Sequence, residues 1–263
     1  MEFESTEYKI YFVIGATLVW CTLCVIVESV FSFKSLSPKI EHDVKNRMVA
    51  ICHGLLSCIM AGYTVFYGGT TWLDKMTDAQ HLTMLISMGY FIYDFLACVY
   101  YDICDRALVI HHSMCIFGYL VSEYYDNATL PMAGIFYGEL SNSWMHYRAI
   151  LRTFGKRYTK AYELLDTIYM TVYLISRGIF VTYLIYQTGL ITEIPFFIRI
   201  TCVGLWLQSV FFMKEMVGII RRKMKQAKER RQKNIHYFWF AENPEVKTGL
   251  SYANKEVKEK VFQ

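Results

Sequence analysis

The chain has 263 residues, 54% of them apolar and 19% charged, with a formal net charge of +4. The charges avoid long stretches of the chain, which argues against a soluble all-α bundle and for segments buried in a bilayer. The eight cysteines lie almost all within those stretches and make no disulfide framework; Cys21 and Cys24 form a CxxC inside an apolar run and read as packing residues.

Seven mostly apolar segments have the length needed to cross roughly 30 Å of hydrocarbon. The first, near residues 8–33, follows the start MEFESTEYK, which lacks the basic leader of a cleaved signal peptide. It is expected to act as an uncleaved signal, and the acidic start argues against an N-terminal mitochondrial presequence. A linker over 35–46 leads to the second segment, 48–67, which carries His53. The third, 82–101, carries Asp94, and the fourth, 107–123, carries the adjacent His111 and His112. The sequon Asn127-Ala128-Thr129 sits so close to two segments that no glycan is expected there. The fifth segment, 129–147, holds Glu139, Asn142 and His146, and the basic loop 148–162 follows it. The sixth, 163–187, holds Asp166, Tyr173 and Arg177, and the seventh covers 196–220. Beyond it the run RRKMKQAKERRQK gives way to HYFWFAENP, four aromatics beside a basic stretch, which suits a membrane interface or a docked partner protein.

Seven passes put the loops alternately on two sides. One side then holds Lys34, Lys39, Lys45, Arg47, Arg106, the basic loop and the final basic run; the other holds only Lys9 and Lys75. By the positive-inside rule the N-terminus is lumenal or outside and the C-terminus cytoplasmic. The natural partner of this one-sided charge is the anionic lipid surface, not a nucleic acid. An integral protein of the endoplasmic reticulum or another internal membrane is expected, with a mitochondrial membrane left open. The chain divides into a first helix and basic loop (1–44), a transmembrane domain (45–220) and a basic and aromatic cytoplasmic tail (221–263).

Ionisable groups inside a membrane normally face a bundle interior or a cavity. At ~1.5 Å rise per residue, His53, Asp94, His111 and Glu139 all fall within about 6–12 Å of the cytoplasmic ends of their segments. Four helices thus bring such groups to one layer. Glu139, Asn142 and His146 share a helix face, as do Asp166, Tyr173 and Arg177. A cavity lined by this set is expected, the competing reading being polar groups that merely hold helices together. Without HxxxH or ExxH spacing, no metal site is expected.

His53-Gly54, GYFIYD (Gly89 to Asp94), the His111-His112 pair, GELSN (Gly138 to Asn142) and Arg177, in that order, resemble the TLC-domain family over about residues 45–220. The chain is most similar to the small TLC domain-containing transmembrane proteins, distant relatives of the ceramide synthases. The resemblance implies a multi-pass all-α bundle in which six spans form a barrel around a lipid-accessible cavity, with the first helix outside it. It also implies a role in handling lipid or acyl chains. Ceramide synthases carry a His-Asp-x-x-Asp pattern in the span after the histidine pair; here Gly138-Glu139-x-x-Asn142 stands in its place.

Two functions follow as expectations. In the first, His111 and His112 act with Asp94 and Glu139 as the catalytic groups of a lipid acyltransferase, with acyl-CoA as co-substrate and no bound cofactor. His53, Asn142, His146, Asp166, Tyr173 and Arg177 then contact lipid or substrate. In the second, the same cavity holds a lipid without chemistry, and residues 234–263 dock this chain onto a larger membrane assembly.

Overall fold

The computed structural model describes residues 5–253, so the last ten residues of the expected tail lie outside the described residues. The described residues form helices and no strand: α1 (Thr6–Val30), α2 (Pro38–Tyr67), α3 (Asp78–Tyr100), α4 (Arg106–Tyr125), α5 (Thr129–Glu139), α6 (Asn142–Thr153), α7 (Lys160–Tyr173), a π-helical turn (Leu174–Phe180), α8 (Val181–Leu190), α9 (Phe196–Gln232) and α10 (Pro244–Gly249). Helix starts are written in side-chain caps. Thr77 and Gln80 form a reciprocal capping box at α3, Asp105 accepts from the Leu108 amide at 2.7 Å at α4, and Thr159 accepts from the Tyr162 amide at α7.

Polar contacts fix which helix ends lie together. At one end, Lys9 of α1 and His81 of α3 both reach Glu123 of α4 at 2.8 Å, and Thr129 of α5 bonds Thr71 between α2 and α3. At the other, Glu28 of α1 pairs with Lys45 of α2, Lys39 of α2 meets Asp102 after α3, and Asp166 of α7 joins Arg148 of α6 and Lys223 of α9. The chain therefore passes seven times between two ends, and the basic loop after α6 and the end of α9 share an end, as the charge pattern predicts. Five of these passes are helices long and apolar enough to cross a membrane. Ile10, Ile14, Leu18, Val19 and Val25 of α1 are all more than half exposed, an apolar outer surface of the kind that lipid covers. The protein is an integral membrane protein.

Two segments differ from the expected spans. α2 begins at Ser37-Pro38, ten residues before the expected start, because serine before proline is a helix-start signal. Lys45, Asn46 and Arg47 are therefore helical. The expected span over 129–147 is two helices interrupted at Leu140-Ser141, both lying along α2. The continuous helix Lys160–Leu190 carries the π-helical turn at its centre.

α1 lies outside the other helices and packs mainly on α3. Gly89 allows that approach: a Cβ there would stand 2.7 Å from the Ala16 Cβ and 2.9 Å from the Thr17 nitrogen. Gly54 plays the same part between α2 and the α5–α6 break, where a Cβ would meet the Ser143 hydroxyl at 2.9 Å. Without a hydrophobic drive between helices in lipid, such small residues admit the close packing that holds them together. Asn127 of the sequon is buried, with its amide donating to the Trp72 carbonyl at 2.9 Å, and offers no acceptor nitrogen for a glycan.

The tail folds back on its own chain. Backbone amides of Lys160 and Ala161 donate to the carbonyls of Phe238 and Trp239, which satisfies two first-turn donors of α7. Tyr237, Ile235, Val246, Leu250 and Ala253 pack with Tyr158 into a small satellite core. The four aromatics thus part company: Tyr237 is buried within the chain, while Phe238, Trp239 and Phe240 stand 51%, 54% and 77% exposed.

Candidate functional site

Near the basic end, α2, α3, α4, α6, α7 and α9 enclose a polar chamber of about 360 Å³. Its rim includes exposed Asp105 at the start of α4, so it opens at that end. The chamber brings together eight of the ten predicted residues: Asp94, His111, His112, Glu139, Asn142, His146, Tyr173 and Arg177.

α3 and α4 set the histidines. His112 is buried, with Nε2 3.2 Å from Asp94 Oδ2. The other Asp94 oxygen accepts from Asn46 Nδ2 at 2.6 Å, and Asn46 Oδ1 accepts from the Tyr93 hydroxyl at 2.7 Å. A four-residue relay thus runs from Tyr93 to His112. A carboxylate beside Nε2 favours the tautomer with its proton there and leaves Nδ1 with a lone pair. Nδ1 of His112 is buried and has no hydrogen-bond partner among the described residues. His111, about 100° around the helix, points elsewhere: Nδ1 lies 3.0 Å from Gln208 Oε1 of α9, and Nε2 lies 3.7 Å from the Cys115 sulfur.

Arg177 comes from the π-helical turn. Its Nη2 donates to the Gly138 carbonyl at 2.7 Å and to Asn142 Oδ1 at 3.1 Å, across the α5–α6 break. Gly138 sits beside the interruption, so a cation of one helix ties down the frayed end of another. Tyr173 donates to the Ser209 carbonyl of α9, and the Arg177 guanidinium lies 5.2 Å from the Tyr173 ring centroid. His146 lines the chamber with a buried Nδ1 that has no hydrogen-bond partner among the described residues.

Two predicted residues lie off the chamber. His53 is behind its wall, stacked on Tyr90 at 3.6 Å, bonded to Ser57 at 2.8 Å and 4.0 Å from Glu139. It supports the chamber and does not line it. Asp166 shares a helix face with Tyr173, as expected, but sits about 10 Å nearer the basic end at ~1.5 Å per residue. There it binds Arg148 and Lys223. Sequence reasoning missed Asn46, which fell in an expected loop, and Gln208, whose signal was available as a lone amide in an apolar stretch.

A second cavity, of about 110 Å³, continues from the first toward the opposite end between α4, α5, α8 and α9. Its walls are apolar: Tyr119, Leu130, Ile135, Leu184, Ile198 and Leu205, with Gly134 opening onto it. Phe91, His111, Glu139 and Arg177 line both cavities. Polar and apolar spaces therefore meet at these four side chains. Among the described residues, no three His, Cys, Asp or Glu side chains are grouped to hold a metal ion.

The TRAM_LAG1_CLN8 family model, described as the TLC domain, matches residues 43–217. The match begins within α2 and ends within α9, so it takes in both cavities and leaves out α1 and the returning tail. The chain belongs to the TLC domain family, a lipid-related family of membrane proteins.

Proposed function

We propose that this chain binds an amphipathic membrane lipid across the two cavities and transfers an acyl chain there. The observation that carries the reading is the shared boundary: His111, Phe91, Glu139 and Arg177 line a polar chamber on one side and an apolar cavity on the other. A polar group in the first and an acyl chain in the second match those walls, since concave sites bind by apolar burial and a few placed polar groups. By the positive-inside rule the basic end faces the cytosol in this reading. Acyl-CoA then approaches from the chamber's open rim.

His112 is the base in this reading. Its Nδ1 takes the proton from a lipid amine or hydroxyl as that group attacks the thioester carbonyl; the carbon–sulfur bond breaks, and the thiolate receives the proton from His112. Asp94 holds the ring and stabilises its protonated form. The test is acyl transfer by the purified protein in vesicles, from radiolabelled palmitoyl-CoA to sphingoid bases, lysophospholipids and diacylglycerol. Transfer to one acceptor, lost in His112→Gln with lipid co-purification retained, supports the reading; no transfer to any acceptor removes the chemical step.

One observation favours a second reading. Asn142, in the place of a carboxylate of the ceramide synthase pattern, has its side-chain oxygen held by Arg177 instead of facing the histidines. A non-catalytic lipid-binding subunit of a larger assembly needs only the cavities, and co-purified lipid without transfer is its signature. In that case the exposed Phe238, Trp239 and Phe240 offer the docking surface for a partner chain.

A further inference from the structure

The basic loop, α7, α9 and the returning tail enclose a third cavity, of about 210 Å³, far above the ~10–15 Å³ that one water requires. Its lining carries six cations, Arg148, Arg152, Arg157, Arg222, Lys223 and Arg230, against two carboxylates, Glu163 and Asp166. Both carboxylates are already engaged. Asp166 is buried and held by Arg148 and Lys223 from two helices. Glu163 takes a two-pronged pair from Arg230 at 2.9 and 3.2 Å. The exposed Arg152 and Arg222 have no carboxylate partner among the described residues, so these two guanidiniums bring to the cavity positive charge that no described carboxylate offsets. Guanidinium groups are forks suited to the paired oxygens of a phosphate.

The wall on the tail side is Tyr237. The Arg230 guanidinium lies 4.0 Å from its ring centroid, and the hydroxyl bonds Tyr252 at 2.9 Å. The tail therefore closes the cavity. On the inner side, Arg148 lies 5.2 Å from the ring of Tyr169, which lines the polar chamber. One arginine–tyrosine pair separates the two spaces.

We propose that this cavity is a binding site for a phosphate group, closed on one side by the tail. The recognised chemistry is a phosphomonoester or pyrophosphate dianion, carried either by a lipid headgroup at the membrane surface or by a soluble compound. The site is separate from the acyl-transfer reading and stands if that reading fails.

The experiment is calorimetric titration of the full-length protein in zwitterionic detergent. The probes are inorganic pyrophosphate and dioctanoyl phosphatidylinositol 4-phosphate, with sodium chloride of matched ionic strength as control. Saturable binding of at least one probe is expected, weakened by added salt. Binding of the lipid probe alone assigns the source to a headgroup; binding of pyrophosphate as well assigns it to the phosphate itself. Arg152→Gln with Arg222→Gln removes two charges that have no carboxylate partner among the described residues, and affinity is expected to fall about tenfold for each lost charge contact. Unchanged affinity in that double variant, with its elution profile and helicity intact, overturns the proposal. So does the absence of saturable binding by either probe.

Discussion

His112 Nε2 stands 3.2 Å from Asp94 Oδ2, while the opposite nitrogen of the same ring is buried without a hydrogen-bond partner among the described residues. One helix thus orients a histidine that belongs to another. Asp94→Asn keeps the shape of the pair and removes the charge that stabilises a protonated ring. Acyl transfer is expected to fall roughly 10²–10⁴-fold, the range of general-base catalysis, with lipid co-purification unchanged. A variant that transfers at the wild-type rate removes Asp94 from the mechanism.

The same carboxylate depends on Asn46 at 2.6 Å. Asn46→Leu leaves a buried oxygen unpaired, which costs about 1–3 kcal/mol. Thermal unfolding in detergent should show the loss; Tyr93→Phe, which removes the relay's outer donor, should cost less.

Gly89 stands where α1 crosses α3, with the Ala16 Cβ and Thr17 nitrogen both inside the reach of a side chain. Gly89→Leu is expected to detach α1 from the bundle, read as cysteine labelling of Cys24, which is now buried, and as a lowered unfolding temperature. Gly15→Ala, which meets nothing within 4 Å, serves as the neutral control. If Cys24 stays protected in the leucine variant, α1 is not held by this contact.

Much of this architecture was legible in the sequence, because hydropathy and charge sidedness read span number and ends directly. The glycines of the family motifs were visible as letters, but their use emerges only when the neighbouring helix is placed on them. The break at Leu140-Ser141 was not legible by hydropathy, since the residues around it are short or apolar enough to continue a span. Its hint was the polar run Ser141-Asn142-Ser143. The chamber was legible in part as a depth coincidence: of His53, Asp94, His111 and Glu139, the last three line it and His53 lies behind its wall. Asp166 escaped that reasoning because a shared face says nothing of layer, and its cationic partners arrive from α6 and α9. Asn46 escaped because the start of α2 was placed too late, although Ser37-Pro38 announced it.

Gly134 borders the apolar cavity, and a Cβ there meets no atom within 4 Å. Gly134→Phe should place a ring in the cavity. The amount of long-chain lipid that co-purifies is expected to fall severalfold, while Gly134→Ala, whose Cβ meets nothing within 4 Å, should retain it and hold or raise the unfolding temperature, because glycine in a helix costs ~0.5–1 kcal/mol against alanine. Undiminished long-chain lipid in the phenylalanine variant argues against this cavity as the chain's seat.

The tail's docking is expected to depend on pH. Glu229 binds Lys233 and both the amide and hydroxyl of Ser251, and these bonds, Lys233 first, pull its pKa from 4.5 to about 2. A carboxylate with a lowered folded pKa contributes fully above its unfolded value and is lost as pH falls through the folded one. Tail protection in hydrogen exchange should therefore hold above pH 4.5 and decline toward pH 2. Glu229→Gln should show weaker protection throughout, with no decline specific to that window; a wild-type tail unprotected at neutral pH contradicts the docked arrangement.

The central claim is that an acyl chain occupies the apolar cavity with its polar end among the histidines. Photo-cross-linking with a lipid bearing a diazirine near the chain terminus tests it most directly. The account predicts labelled peptides from α5 and α8, around Gly134 and Leu184, with labelling lost in Gly134→Phe. Labelling confined to outward residues such as Ile14 and Leu18 of α1, and unchanged in that variant, contradicts it.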